Sequence, residues 1–288
     1  MSRFLERFAE FINENGYNTF RIAEIYNGGE PESMTLRPSS SCLNTYSISK
    51  AFSVTAIGIL YDRGLISLDE HITDILKDEC PENMDLRWNK LTVDMTMRHL
   101  CGLPLGFLDI DVQDIKSYGD DDFLRYMLGT RLECEPGEKW SYSDGAFYLI
   151  SRVVTKKTGR ILDEFLWREL FLPLGFQEAA WSKCPKGYPI GGSGLYIRAE
   201  DMVKLGALYL NGGIYNGKRI LSKEWTDITL EKGYELGKTG VGESFGKGGY
   251  AAQMLLVIPE TGRVAGWQSF DLEKDQMPLI RFAAEYRD

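Results

Sequence analysis

The chain has 288 residues, 43% of them hydrophobic and 26% charged, enough for one large domain or two interleaved ones with a sizeable core. Its net charge of −9 argues against nucleic acid or an anionic membrane surface as a partner, since neither would be attracted to it. No apolar run approaches the ~18 residues of a membrane-spanning helix.

The first residues, "MSRFLERFAEFINENG", place Phe4, Leu5, Phe8, Phe11 and Ile12 at helical spacing with acids and arginines between them. That is an amphipathic helix and not a signal peptide, so a cytoplasmic location is expected. "TFRIAEIYNGGEPE" then reads as a strand entering a turn at Gly28-Gly29.

Residues 47–62 form a predicted helix that is apolar on most faces (Ala51, Phe52, Val54, Ala56, Ile57, Ile59, Leu60), stopped at Arg63-Gly64. A helix without a polar face is packed on all sides. Ser47 and Lys50 stand at its start, three apart on one face. One reading is a serine cap and a solvated lysine. The other is a nucleophile and its base: burial disfavours the ammonium, and the free N–H groups and dipole of a helix start favour developing negative charge.

The middle of the chain favours helix, as in "DDFLRYMLG", "GAFYLISRVVTKKTG" and "AEDMVKLGALYLNGG", each with Gly at a predicted C-cap. Just before the second of these, "PGEKWSYSDGAFYLI" sets Tyr142 and Asp144 two apart; the plain alternative is a surface turn with Asp144 as N-cap. Towards the end, "FGKGGYAAQ" places Lys247 and two glycines at the start of a strand, where glycine permits close approach to the backbone. "YAAQMLLVIPETGRVAGWQSF" reads as two strands joined by a Pro259–Gly262 turn, and a last helix starts near Asp275 with Pro278 in its first turn.

Strand material thus sits at both ends and helical material between. The expected fold is α/β (α+β): an antiparallel sheet flanked by helices, built from residues 1–65 and 228–288, with an all-helical domain, 66–227, inserted.

The five cysteines are scattered and form no CxxC pair, as expected of free thiols. With two histidines, His71 and His99, a zinc site would need unusual ligands, and no metal or cofactor is expected. No G-x-S-x-G elbow is present, His71 reads as solvated, and His99 beside Cys101 reads as a buried structural residue. Trp140 either lines a cleft or packs under its loop. "GKTG" at 237–240 is set aside in favour of Lys247, because an apolar strand run does not follow it directly; its glycine spacing also misses that of a P-loop.

Together these segments resemble the serine β-lactamase and penicillin-binding-protein superfamily, nearest the branch of class C β-lactamases, D-alanyl-D-alanine carboxypeptidases and β-lactamase-fold esterases. "YSISKAFSVTAIGILYDRGLISLDEHI" is similar to its nucleophile helix, "TMRHLCGLP" to its R-H-L segment, and "PGEKWSYSDGAFYLI" to its Y-S-N motif. "GGSGLYIRAEDMVKLGALYLNGG" and "GKGGYAAQMLLVIPETG" resemble its later helix and its third-motif strand.

The resemblance implies a β-lactamase/transpeptidase-like fold with a cleft between the two parts holding Ser47, Lys50, Tyr142 and Lys247. Ser47 would be acylated, Lys50 would take or orient its proton, Tyr142 would be the second acid/base, and Lys247 would add positive potential. The N–H groups of Ser47 and Tyr250, beside Gly249, would form the oxyanion hole.

Two departures matter. Asp144 replaces the usual Asn; a carboxylate there holds Lys50 protonated, shifts the base role towards Tyr142 and repels anionic substrates. K-G-G replaces K-T-G, removing a hydroxyl contact for a β-lactam carboxylate. The expected function is therefore serine hydrolysis of a small ester, amide or peptide-like substrate, with esterase or peptidase activity favoured over β-lactamase activity. The alternatives are a catalytically silent ligand-binding cleft and penicillin binding without turnover.

Overall fold

The computed structural model describes residues 2–118 and 122–287. In chain order the elements begin with α1 (Arg3–Glu14), β1 (Thr19–Tyr26), β2 (Glu32–Thr35), β3 (Leu43–Asn44), a 3-10 turn at Tyr46–Ile48, and α2 (Ser49–Asp62). Next come α3 (Ile72–Ile75), α4 (Val93–Met97), α5 (Phe123–Leu128), α6 (Asp144–Thr158), α7 (Leu162–Leu166) and β4 (Ala179–Trp181). The chain closes with β5 (Leu195–Ile197), α8 (Ala199–Leu210), β6 (Ile214–Tyr215), β7 (Lys218–Arg219), α9 (Lys223–Lys232), β8 (Gly237–Lys238), β9 (Phe245–Gly249), β10 (Gln253–Ile258), β11 (Arg263–Ser269) and α10 (Met277–Glu285).

Two compact units divide the chain. One contains residues 1–48, 170–180 and 195–288; the other contains 49–169 and 181–194. These bounds are drawn elsewhere than the 66–227 insertion read in the sequence. Packing explains them: α8 lies against β1, β10 and β11, whereas α2 lies against α6 and α7.

The first unit carries a six-stranded sheet in the order β2-β1-β11-β10-β9-β8, antiparallel at each pairing and built from both ends of the chain. It is the mixed α/β fold expected. Strand alternation sorts its two faces. Ile22, Met254, Leu256, Ile258, Ala265 and Trp267 meet α1 and α10 in one apolar cluster. α1 earns its place there by sequence: Ser2 caps it, accepting from Leu5 N–H at 3.1 Å, and Phe4, Leu5, Phe8 and Ile12 are buried on one face. The residues in between, among them Leu255, Val257 and Val264, face α8.

The second unit is built round α2 and α6. α2 is buried continuously from Ser49 to Leu60, as expected of a helix without a polar face. α6 ends at Gly159 in the left-handed conformation (φ 69°), the predicted C-cap. The shorter α5 ends at Gly129 in the right-handed region instead, which any residue could adopt.

Candidate active site

In the second unit, Lys50 lies in the first turn of α2 and is fully buried. Its Nζ donates to Asp144 Oδ1 at 2.5 Å and to the Gly192 carbonyl at 2.7 Å. The same Nζ stands 4.6 Å from the ring centroid of Tyr142. Asp144 is therefore not the N-cap of α6. Ser143 holds that position, and Asp144, the first helical residue, is buried and turned to Lys50. The segment 191–194 completes the lysine's surroundings. Gly191 (φ 76°) crosses so close to the Phe147 carbonyl that no Cβ would fit, and its own carbonyl accepts from Ser53 Oγ at 2.8 Å.

Two acids that the sequence did not single out belong to this neighbourhood. Asp109, Asp111 and Asp144 carry carboxylate oxygens within 4.8 Å of one another. Ser193 Oγ donates to both oxygens of Asp111, at 2.6 and 2.7 Å. Burial pushes the Asp111 carboxyl up to about 6; the Ser193 hydroxyl and Lys50 oppose the rise, and Asp144 and Asp109 add to it. Asp109 is pushed up as well, first by burial and then by Asp144. Among the described residues these three carboxylates are the group with a cation-holding arrangement, and a cation there would compete with the Lys50 ammonium for Asp144.

Tyr142 is framed by aromatics. Its ring lies 4.6 Å from that of His99 and 6.4 Å from that of Trp140, which is 60% exposed and so lines open surface instead of packing under the loop. His99 is buried, and its Nδ1 accepts from the Ser143 N–H at 3.2 Å. Its burial is as expected. Its neighbour Cys101 is sealed in the core, and that burial drives its thiol up to about 12, against the thiolate form a nucleophile needs. His71 is not simply solvated: its Nδ1 is 2.5 Å from the Asn89 carbonyl. All five cysteines are free.

In the first unit, Ser47 lies in the 3-10 turn Tyr46–Ile48, which runs directly into α2, and not inside the helix itself. Tyr46 before it has φ 48°, a left-handed backbone that is uncommon for a non-glycine residue. The end of β9 closes on this turn. A Cβ on Gly249 would strike the Thr45 carbonyl, so only glycine permits the approach. The rings of Tyr46 and Tyr250 meet edge-on at 5.5 Å. Lys247 is not the start of the long apolar strand. It sits within β9, opposite Leu255 of β10, and a 3-10 turn at 250–252 separates the two strands. Ala251 and Ala252 make that turn with φ of 56° and 69°. Lys247 forms an ion pair with Glu235, a buried residue absent from the sequence reading. Lys238 of the rejected "GKTG" is exposed on the edge strand β8, 3.7 Å from Glu243.

Residues 37–276, most of the chain, match the family profile described as Beta-lactamase. The chain belongs to the Beta-lactamase family. Penicillin-binding protein 4 of Amycolatopsis lactamdurans is 23% identical over 63% of this chain and 54% of its own length. The 6-aminohexanoate-dimer hydrolase of Paenarthrobacter ureafaciens is 22% identical over 76% of this chain and 59% of its own length. This Beta-lactamase-family chain thus spans little more than half the length of those relatives. Its fold matches the crystal structure of a penicillin-binding-protein homologue from Caulobacter crescentus with a TM-score of 0.75 at 15% identity, over 98% of this chain and 95% of that one. No helix among the described residues of this family member is long and apolar enough to cross a membrane.

Proposed function

We propose that the chain is a serine hydrolase working through an acyl-enzyme on a small ester, amide or peptide-like substrate. Ser47 Oγ attacks the carbonyl carbon, and its proton passes to the Tyr142 oxygen, which enters this step as a phenolate beside the Lys50 ammonium. Lys50, engaged with Asp144, supplies positive charge beside that ring and is not the final proton acceptor. The N–H groups of Ser47 and Tyr250 receive the oxyanion. Tyr142 then returns the proton to the departing alcohol or amine as the C–O or C–N bond breaks. Water repeats the cycle on the acyl-serine.

The observation that supports this reading most strongly is the buried Lys50, held in the first turn of α2 between Asp144 and the Tyr142 ring. An unpaired lysine in an apolar helix would be too costly to keep, and this one is supplied with a carboxylate, a carbonyl and a phenol ring. Hydrolysis of a panel comprising p-nitrophenyl acetate and butyrate, nitrocefin and a D-Ala-D-Ala peptide tests it. Turnover of the esters or the peptide by the wild type, abolished in Ser47→Ala, is expected; equal turnover by both would refute the assignment.

The ion pair of Lys50 with Asp144 also favours a second reading, a cleft that binds ligands without turnover. A fluorophosphonate probe separates the two, since a silent site leaves Ser47 unlabelled.

A further inference from the structure

We infer that Glu235 sets the charge selectivity of the site, turning it towards esters and amides that are uncharged or carry an ammonium group and away from those bearing a carboxylate. The inference rests on the reading of Lys247 as a residue of the proposed hydrolase site.

Lys247 is the cation that would receive a substrate carboxylate, but its ammonium already has a carboxylate partner from its own unit. Glu235 lies in the connection between α9 and β8, and both members of the pair are shielded, with side chains 17% and 5% exposed. The glutamate is held firmly in place, because Tyr234 and Leu236 on either side of it are core residues. Its backbone is left-handed, φ 57°, a conformation that disfavours a side chain with Cβ and persists only where the surroundings impose it.

An incoming anion therefore meets a neutralised pair instead of a lone lysine, and the glutamate repels it across a poorly screened distance. The second unit has the same sign of imbalance. Lys50 is paired with Asp144, and Asp109 and Asp111 lie close to that carboxylate. Each of the two lysines is thus matched by carboxylate within its own unit.

The test uses two esters that differ in one charge: 4-nitrophenyl methyl glutarate, which is neutral, and mono-4-nitrophenyl glutarate, which is anionic. Their kcat/KM values are compared in the wild type and in Glu235→Gln. Their dissociation constants are measured in parallel on Ser47→Ala, with and without Glu235→Gln, so that the charge preference is read even if Ser47 is not the nucleophile. The wild type is expected to favour the neutral ester by about tenfold or more, and Glu235→Gln to raise the anionic-to-neutral ratio by about tenfold, in turnover and in binding alike. A wild-type ratio near or above one overturns the inference without any variant. So does a ratio that Glu235→Gln leaves unmoved, or failure of both esters to bind.

Discussion

A lysine with no exposed surface needs opposite charge close by, and Lys50 has it in Asp144. Removing the partner strands the ammonium. Asp144→Ala is expected to destabilise the fold by about 3–5 kcal/mol, and Asp144→Asn, whose amide oxygen still accepts from Lys50, by distinctly less. Urea unfolding of the two variants against the wild type checks both the size and the order. Asp111 offers a test by pH. Its carboxyl is raised from 3.8 to about 6 in the fold. Between those values the folded protein keeps a proton that the unfolded chain has released. Stability contributed by this group is therefore present at the acid end and lost as pH rises through the window. Asp109 shifts in the same direction. Thermal melts from pH 4 to 7 should show the wild type losing stability relative to Asp111→Asn as pH climbs, and parallel curves would show that Asp111 titrates normally.

At the scale of elements, Gly249 joins β9 to the turn that presents Ser47. A methyl group there collides with the Thr45 carbonyl, so Gly249→Ala must push β9 and the turn apart. The expected result is a loss of activity much larger than the loss of stability, read as kcat/KM beside a melting curve; a variant with unchanged kcat/KM would show that this approach does not position Ser47. The elements also show what the sequence discloses. α1 and α2 were legible because apolar spacing and burial follow directly from helix geometry. The strands after Gly249 were legible as apolar runs. The break between β9 and β10 was not, since Ala251 and Ala252 adopt left-handed backbones for which alanine gives no signal. The part of the site set by long-range contact was equally silent. Asp109 and Asp111 look like ordinary loop acids, and Glu235 reveals its partner only once the connection between α9 and β8 is folded beside Lys247 of β9.

Across the whole molecule, residues far apart in the chain are brought to a small number of places. Lys50, Tyr142 and Asp144 gather in one unit, while the turn of Ser47, the glycine end of β9 and Lys247 belong to the other. The division falls between Ile48 and Ser49, inside the S-x-x-K motif itself, so the continuous backbone of that motif joins the proposed nucleophile to its helper. The proposed function unites these features through a covalent intermediate on Ser47. The most direct measurement is intact-protein and peptide mass spectrometry after brief exposure to p-nitrophenyl butyrate and acid quench. The account predicts one butyryl group, located on Ser47 and absent from Ser47→Ala; butyrylation elsewhere, or undiminished hydrolysis by Ser47→Ala, would contradict it.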